Sequence, residues 1–133
     1  MTLYMLDTNM FSHMIRNHPA VTAIAYAKPA ETLCISCLTE AELRFGLARR
    51  RGPKLLADAV LLLFQHVAIL PWTSATAVRY AAFRAELERK GRRLDAMDLL
   101  IAAHALEIDA ILVTADKSFA HIDGLLLDDW TQA

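Results

Sequence analysis

Four acidic residues, Asp7, Glu42, Asp98 and Asp116, carry the chemistry this sequence offers. Asp7 follows the apolar run Leu3-Tyr4-Met5-Leu6. Asp116 follows Ile111-Leu112-Val113-Thr114. Glu42 shares a helical face with Leu38, Phe45 and Gly46, whereas its neighbour Glu40 points to a different side. Asp98 interrupts Ala96-Met97-Asp98-Leu99-Leu100-Ile101-Ala102-Ala103-His104-Ala105-Leu106, which is apolar nearly all round. Such a helix is buried, and a carboxylate in it is costly unless paired, hydrogen-bonded or bound to a metal. Four carboxylates within reach of one another raise each other's pKa and cannot all stay ionised without positive charge. No Lys or Arg inside these motifs stands at an obvious position to neutralise them. A divalent cation is the natural partner, and all-oxygen ligands favour Mg²⁺ or Mn²⁺ over zinc or copper. A site of that kind activates a water and clamps a phosphodiester oxygen.

Each acid also has a plainer use. Asp7 suits a helix N-cap. Thr39 with Glu42 three residues later fits a capping box. Asp98 in the first turn of its helix, behind a capping Asp95, would serve the helix dipole. Asp116 would cap the turn Lys117-Ser118-Phe119. Jointly these readings weaken. Three of the acids fall just past a strand or at a helix start, on the edge where an open parallel sheet places its ligands.

The elements that must position them alternate along the chain. Leu3 to Leu6 reads as a short buried strand. A helix follows over Met10 to Arg16, capped by Thr8 or Asn9. Pro19 opens a second helix through Tyr26. Leu33 to Ser36 is a strand, and a helix runs from Cys37 to about Arg50, where Gly52-Pro53 stops it. Lys54 to Phe64 is an apolar-striped helix and Val67 to Leu70 a strand closed by Pro71. Thr73 to Lys90 is the longest helix, ended by Gly91. Asp95 caps the next, to about Leu106. Ala110 to Thr114 and Leu125 to Leu127 are strands flanking the helical turn Lys117 to Ala120. Strands alternating with helices predict a parallel sheet covered on both faces. No repeat or linker divides the chain, so residues 1–133 read as one domain.

Composition narrows the class further. Apolar residues make up 56% of the 133 and charged residues 22%, which is globular with a large core. The mean hydropathy of +0.30 leaves surplus apolar surface for a subunit or partner interface. No apolar run approaches the roughly 20 residues of a membrane helix. A buried strand almost at Met1 leaves no visible leader, and a cytoplasmic location is expected. Net charge is −1, but with four acids gathered in one hole the remaining surface is net positive. Cys34-Ile35-Ser36-Cys37 has redox spacing, yet it lacks the context of a redox site and reads as two small core residues. The histidines show no metal-ligand spacing and read as structural.

These residues resemble a known family. Met5-Leu6-Asp7-Thr8-Asn9, Ile35-Ser36 with Thr39-Glu40-Ala41-Glu42-Leu43, Asp98-Leu99-Leu100-Ile101-Ala102-Ala103-His104-Ala105 and Thr114-Ala115-Asp116-Lys117-Ser118-Phe119 are similar, in order and separation, to the motifs of PIN-domain ribonucleases. The match is closest to the VapC-type toxins of bacterial toxin–antitoxin pairs. Cys37 departs from the small residue, usually Ser, of that pattern, and no acidic position is lost. The resemblance implies a three-layer α/β/α sandwich with a mainly parallel central sheet. It implies an Mg²⁺-dependent endoribonuclease, with Mn²⁺ able to substitute. It implies Asp7, Glu42, Asp98 and Asp116 as the catalytic and metal-holding acids, supported by Thr8, Asn9 and Thr114. It further implies a VapB-type antitoxin partner, a homodimer, and tRNA as substrate, with the initiator tRNA anticodon stem-loop foremost. Arg49-Arg50-Arg51 and Lys90-Gly91-Arg92-Arg93 are the candidate phosphate contacts. Solvated helix ends, favoured by the dipole, explain the same clusters.

Other classes fit less well. A haloacid-dehalogenase-type phosphatase needs a second Asp two residues after the first, where Asn9 stands. A phospho-accepting receiver needs an Asp ending its central strand, and Val67 to Leu70 ends in Pro71-Trp72. A non-catalytic binding module, or a nuclease acting on other RNA or on single-stranded or flap DNA, is the remaining alternative.

Overall fold

The computed structural model describes residues 1–50 and 54–132, without the side chain of Arg50. The expected Gly52-Pro53 stop and Arg51 therefore lie outside the described residues. The chain runs β1 (Tyr4–Leu6), α1 (Thr8–Ile15), α2 (Pro19–Ala27), β2 (Leu33–Ser36), α3 (Cys37–Arg50), α4 (Lys54–Phe64), β3 (Ala68–Leu70), α5 (Ser74–Arg89), α6 (Ala96–Glu107), β4 (Ile111–Val113) and β5 (Leu127–Asp128). Short 3₁₀ turns occupy Ala30–Thr32 and Lys117–His121.

The five strands form one sheet in the order β3-β2-β1-β4-β5, and every pairing is parallel. Tyr4 aligns with Leu33 on one side and with Ile111 on the other, so β1 is central. Because side chains alternate across a strand, successive residues feed opposite cores. Leu6, Leu33, Ile35 and Val113 pack with Phe11, Met14, Val21, Val60 and Phe64 of α1, α2 and α4. Met5, Cys34 and Leu112 pack on the other face with Leu87 of α5 and Ile101, Ala102 and Ala105 of α6. The result is an α/β/α sandwich with apolar contacts on both faces of the sheet.

Packing decides where the helices sit. The eight residues of α1 are too few to be stable alone. Burying Met10 and Phe11 to within 1% of full burial contributes about 1.5–3 kcal/mol each, and Phe11 stacks on Phe64 with ring centroids 5.9 Å apart. α3 and α6 are tied by a polar contact. Ser36 Oγ accepts from Leu38 N at 3.1 Å, capping α3, and lies 2.8 Å from Nδ1 of the buried His104 on α6. Gly91, at φ +71, ends α5 as expected, a left-handed residue that glycine adopts without strain.

Several expectations shift. Of the caps the sequence offers for α1, Asp7 takes the position and Thr8 and Asn9 do not. The last strand lies at Leu127–Asp128, two residues later than its apolar run. The strand after α4 is an edge of the sheet, so the Pro71-Trp72 objection to a receiver fails: the central strand is β1, and it ends in Asp7. Among the described residues no helix is long and apolar enough to cross a membrane. Cys34 and Cys37 are unpaired, and burial pushes the Cys34 thiol up to about 12, which makes it an inert core residue.

Candidate active site

Since all strands run parallel, their carboxyl ends share one edge of the sheet. The chain lays β2 and β3 on one side of β1, then returns to lay β4 and β5 on the other. The reversal falls between β1 and β4, and in open α/β sheets the crevice outside such a switch point receives the ligand. Asp7 leaves β1 there. Asp116 leaves β4 beside it.

Asp7 is held from two sides. It is buried, 7% exposed, and caps α1 by accepting from Met10 N at 2.7 Å. The Thr114 hydroxyl accepts from Asp116 N at 3.0 Å and lowers the pKa of the Asp7 carboxyl. Burial raises the Asp7 pKa, and the nearby Asp116 adds to the rise. The bonds from Thr114 and Met10, with the His13 ring close by, pull it back. Capping and lining the site are thus one placement, because the cap faces the sheet edge.

Glu42 comes in from α3. Thr8 donates to its Oε1 at 2.6 Å, with the Thr39 hydroxyl 3.3 Å from the same Thr8 oxygen. The capping box expected at Thr39 and Glu42 does not form. Ser36 caps α3 instead, and Thr39 lies inside the helix, buried against Thr8. Glu40 is turned outward in an ion pair with Arg44 at 2.9 Å.

Asp98 is partly buried in the first turn of α6. Asp95 holds the N-cap position but makes no side-chain cap bond, so no capping box accounts for Asp98. Burial, with Asp116, Asp95, Asp7 and Glu42 acting in the same direction, pushes its carboxyl up to about 6. Three remote segments therefore bring their acids within electrostatic reach of Asp98. Asp116 is exposed at the rim and caps the turn after β4, accepting from Ser118 N at 2.9 Å.

The donor set fits a hard divalent cation. It is all carboxylate oxygen, the charges repel, and none of the four acids has an ion-pair partner among the described residues. No three Asp, Glu, His or Cys side chains among those residues close on one point. Mg²⁺ does not require that, since it keeps several waters and takes one or two carboxylates.

The other candidates fall at varying distances from this hole. Asn9 is exposed and lines a groove of about 390 Å³ with Ser12, His13, Arg16, Ala115 and Asp116. Arg49 is exposed, its guanidinium 5.6 Å from the Phe45 ring centre. Lys90 pairs with Asp123 at 2.7 Å. Arg92 and Arg93 are exposed beside Arg84 in a polar groove at the start of α6. Arg51 and the Arg50 side chain lie outside the described residues. The sequence reading missed His13 and Arg16, which stand at the site. Their signal is the polar stripe Asn9, Ser12, His13, Arg16, at helical spacing opposite Met10, Phe11 and Met14.

Residues 4–125 match the PIN domain, and the chain belongs to the PIN-domain family. Within that family it is of the VapC type. It is 32% identical over 133 residues to "Ribonuclease VapC1" of Haemophilus influenzae strain R2866, covering 98% of this chain and 99% of that one. It is 31% identical over 132 residues to "tRNA(fMet)-specific endonuclease VapC" of Shigella flexneri, covering 98% of this chain and 100% of that one. Among solved structures, VapBC2 from Rickettsia felis bound to a DNA fragment from their promoter superposes with a TM-score of 0.90 at 30% identity, covering 97% of this chain and 99% of that chain.

The raised carboxyl of Asp98 has a consequence for stability. Between its ordinary value of 3.8 and about 6 the folded protein binds more protons there than the unfolded chain. Stability therefore falls as pH rises through that window and stays lower above it, by at most about 3 kcal/mol. Asp98→Asn is expected to melt higher than the parent at pH 7 without divalent cation, with the difference vanishing below pH 4. Thermal melts from pH 3 to 8 measure this.

Proposed function

We propose that this protein is an endoribonuclease, the toxin of a toxin–antitoxin pair, working with Mg²⁺. The observation that carries the reading is the convergence of Asp7, Glu42 and Asp116 on Asp98 at the switch point of a parallel sheet. The names of its relatives support RNA as the substrate, and the Shigella relative supports tRNA, with the initiator tRNA anticodon stem-loop as the first to test. A bound Mg²⁺ would lower the pKa of a coordinated water and polarise a phosphoryl oxygen. Asp7 and Asp98 are the residues that would hold it, with Glu42 and Asp116 completing the acidic wall. Met10 N–H and the Thr114 hydroxyl fix the Asp7 carboxylate before substrate arrives, and Thr8 does the same for Glu42. Such preorganisation lowers the cost of reaching the transition state. Attack of water on phosphorus with departure of the 3′ oxygen leaves 5′-phosphate and 3′-hydroxyl ends.

Asp7→Asn and Asp98→Asn are expected to keep the fold and lose cleavage by at least about 100-fold. Gel assays on a tRNA anticodon stem-loop with Mg²⁺, alongside circular dichroism, measure both. Parent-like cutting by Asp98→Asn would reject the mechanism, and a parent that binds RNA but never cuts it would favour a non-catalytic module.

The partner in this reading is a VapB-type antitoxin, in keeping with the VapBC assembly of the Rickettsia relative, and the pair would act in the cytoplasm. The seat we assign to it is the apolar groove of about 170 Å³ between α1, α3 and α4, lined by Ile15, Leu43, Gly46, Leu47, Leu56 and Val60. Glu42 lies on the same groove, so an occupant would cover one side of the acidic site. The same helices expose Phe45, Leu55 and Leu62, and α5 exposes Val78, apolar surface that suits the antitoxin and a homodimer. A Cβ at Gly46 meets nothing within 4 Å. Gly46→Phe should therefore fold normally and fill the groove. It is expected to weaken antitoxin binding by at least about tenfold, measured by calorimetry.

A further inference from the structure

The polar face of α1 has a use that the acidic site alone does not explain. Asn9, Ser12, His13 and Arg16 share one helical face, opposite the buried Met10, Phe11 and Met14. With Asp116 they line the groove of about 390 Å³ that leaves the site on the β4 side. Arg16 also lines the apolar groove on the Glu42 side. It thus lines both grooves, one shared with Asp116 and the other with Glu42. Arg16 is exposed and has no side-chain hydrogen bond or ion pair among the described residues, although Asp116 lines the same groove.

A divalent cation in the acidic pocket would offset only part of the carboxylate charge and would contact only the phosphate being cut. The phosphates on either side would still meet four carboxylates, and their repulsion has to be offset by a fixed positive group close by. Lys90 is engaged with Asp123, and Arg92 and Arg93 line a different groove. Among the described residues, Arg16 is the guanidinium that shares a groove with one of the acids on each side. Guanidinium is also the group that binds phosphate in a planar, two-pronged way. We propose that Arg16 grips the phosphate next to the scissile one and leads the RNA strand out along the polar face of α1. The assignment rests on the ribonuclease reading above and makes Arg16 a substrate-positioning residue.

The plainer role for Arg16 is at the carboxyl end of α1, where a cation favours the helix dipole. The two roles separate experimentally. Parent, Arg16→Ala and Arg16→Lys are assayed for cleavage of a fluorescein-labelled tRNA anticodon stem-loop. Each substitution is also made with Asp98→Asn, so that binding is read by anisotropy without cutting. Arg16→Ala is expected to raise KM and Kd about tenfold, leave kcat within twofold and leave the melting temperature near that of the parent. The slope of log Kd against log salt should become shallower by about 0.7, the value for one phosphate contact on a single strand. Arg16→Lys should keep the slope and recover only part of the affinity. Unchanged affinity and salt slope in Arg16→Ala would overturn the proposal, and a lowered melting temperature alongside them would assign Arg16 to the dipole. If the parent binds RNA without cutting it, the ribonuclease reading fails, and the anisotropy series still decides whether Arg16 touches phosphate.

Discussion

Like charge confined to one edge of the sheet is the constraint on which the rest of this structure depends. Asp7 is buried and Asp98 is partly buried, and both carboxyls sit above their ordinary range because burial and neighbouring acids disfavour the charged form. A fold whose only task was stability would replace these groups with apolar ones, since unpaired buried charge is costly. Here the cost is localised and supported. Hydroxyls and backbone N–H groups aim at Asp7 and Glu42, while two apolar cores hold the surrounding elements in place.

The parallel sheet makes the convergence possible. Segments nearly 110 residues apart in sequence, such as those of Asp7 and Asp116, meet because every strand ends at the same edge. The reversal of strand order between β1 and β4 opens the crevice there. α3 and α6 then lean their acids over the opening, and the Ser36–His104 contact sets one helix against the other. Two grooves leave the site, one apolar beside Glu42 and one polar beside Asp116. That asymmetry suits a protein segment on one side and a polyanion on the other.

Much of this was legible in the sequence, for physical reasons. Short apolar runs mark parallel strands, and β1 to β4 fall where such runs occur, while β5 overlaps its run only at Leu127. Asp98 stood out because a carboxylate in an otherwise apolar helix needs an explanation. What escaped were features that depend on which partner wins a contact. Among Asp7, Thr8 and Asn9, all suited to cap α1, it is Asp7 that does so, because the backbone turns directly at the strand end. Ser36 displaces Thr39 as the cap of α3, since the helix begins three residues earlier than the Thr-x-x-Glu pattern marks. The edge position of β3 is a property of strand order, which periodicity does not encode. His13 and Arg16 were overlooked because α1 draws attention by its apolar stripe, and its polar stripe gains meaning only once Asp116 lies across the groove.

The central claim is that these carboxylates form one pocket for a divalent cation, and proton release on binding tests it most directly. Mn²⁺ is titrated into the protein by calorimetry at pH 6 in two buffers of unlike ionisation enthalpy. A pocket whose Asp98 carboxyl is raised to about 6 should release protons on binding the ion at that pH, and the release should fade by pH 8. Saturable heat that differs between the two buffers, and is lost in Asp98→Asn, is the predicted result. No saturable heat in the parent, or equally tight binding by Asp98→Asn with no difference between buffers, would contradict it.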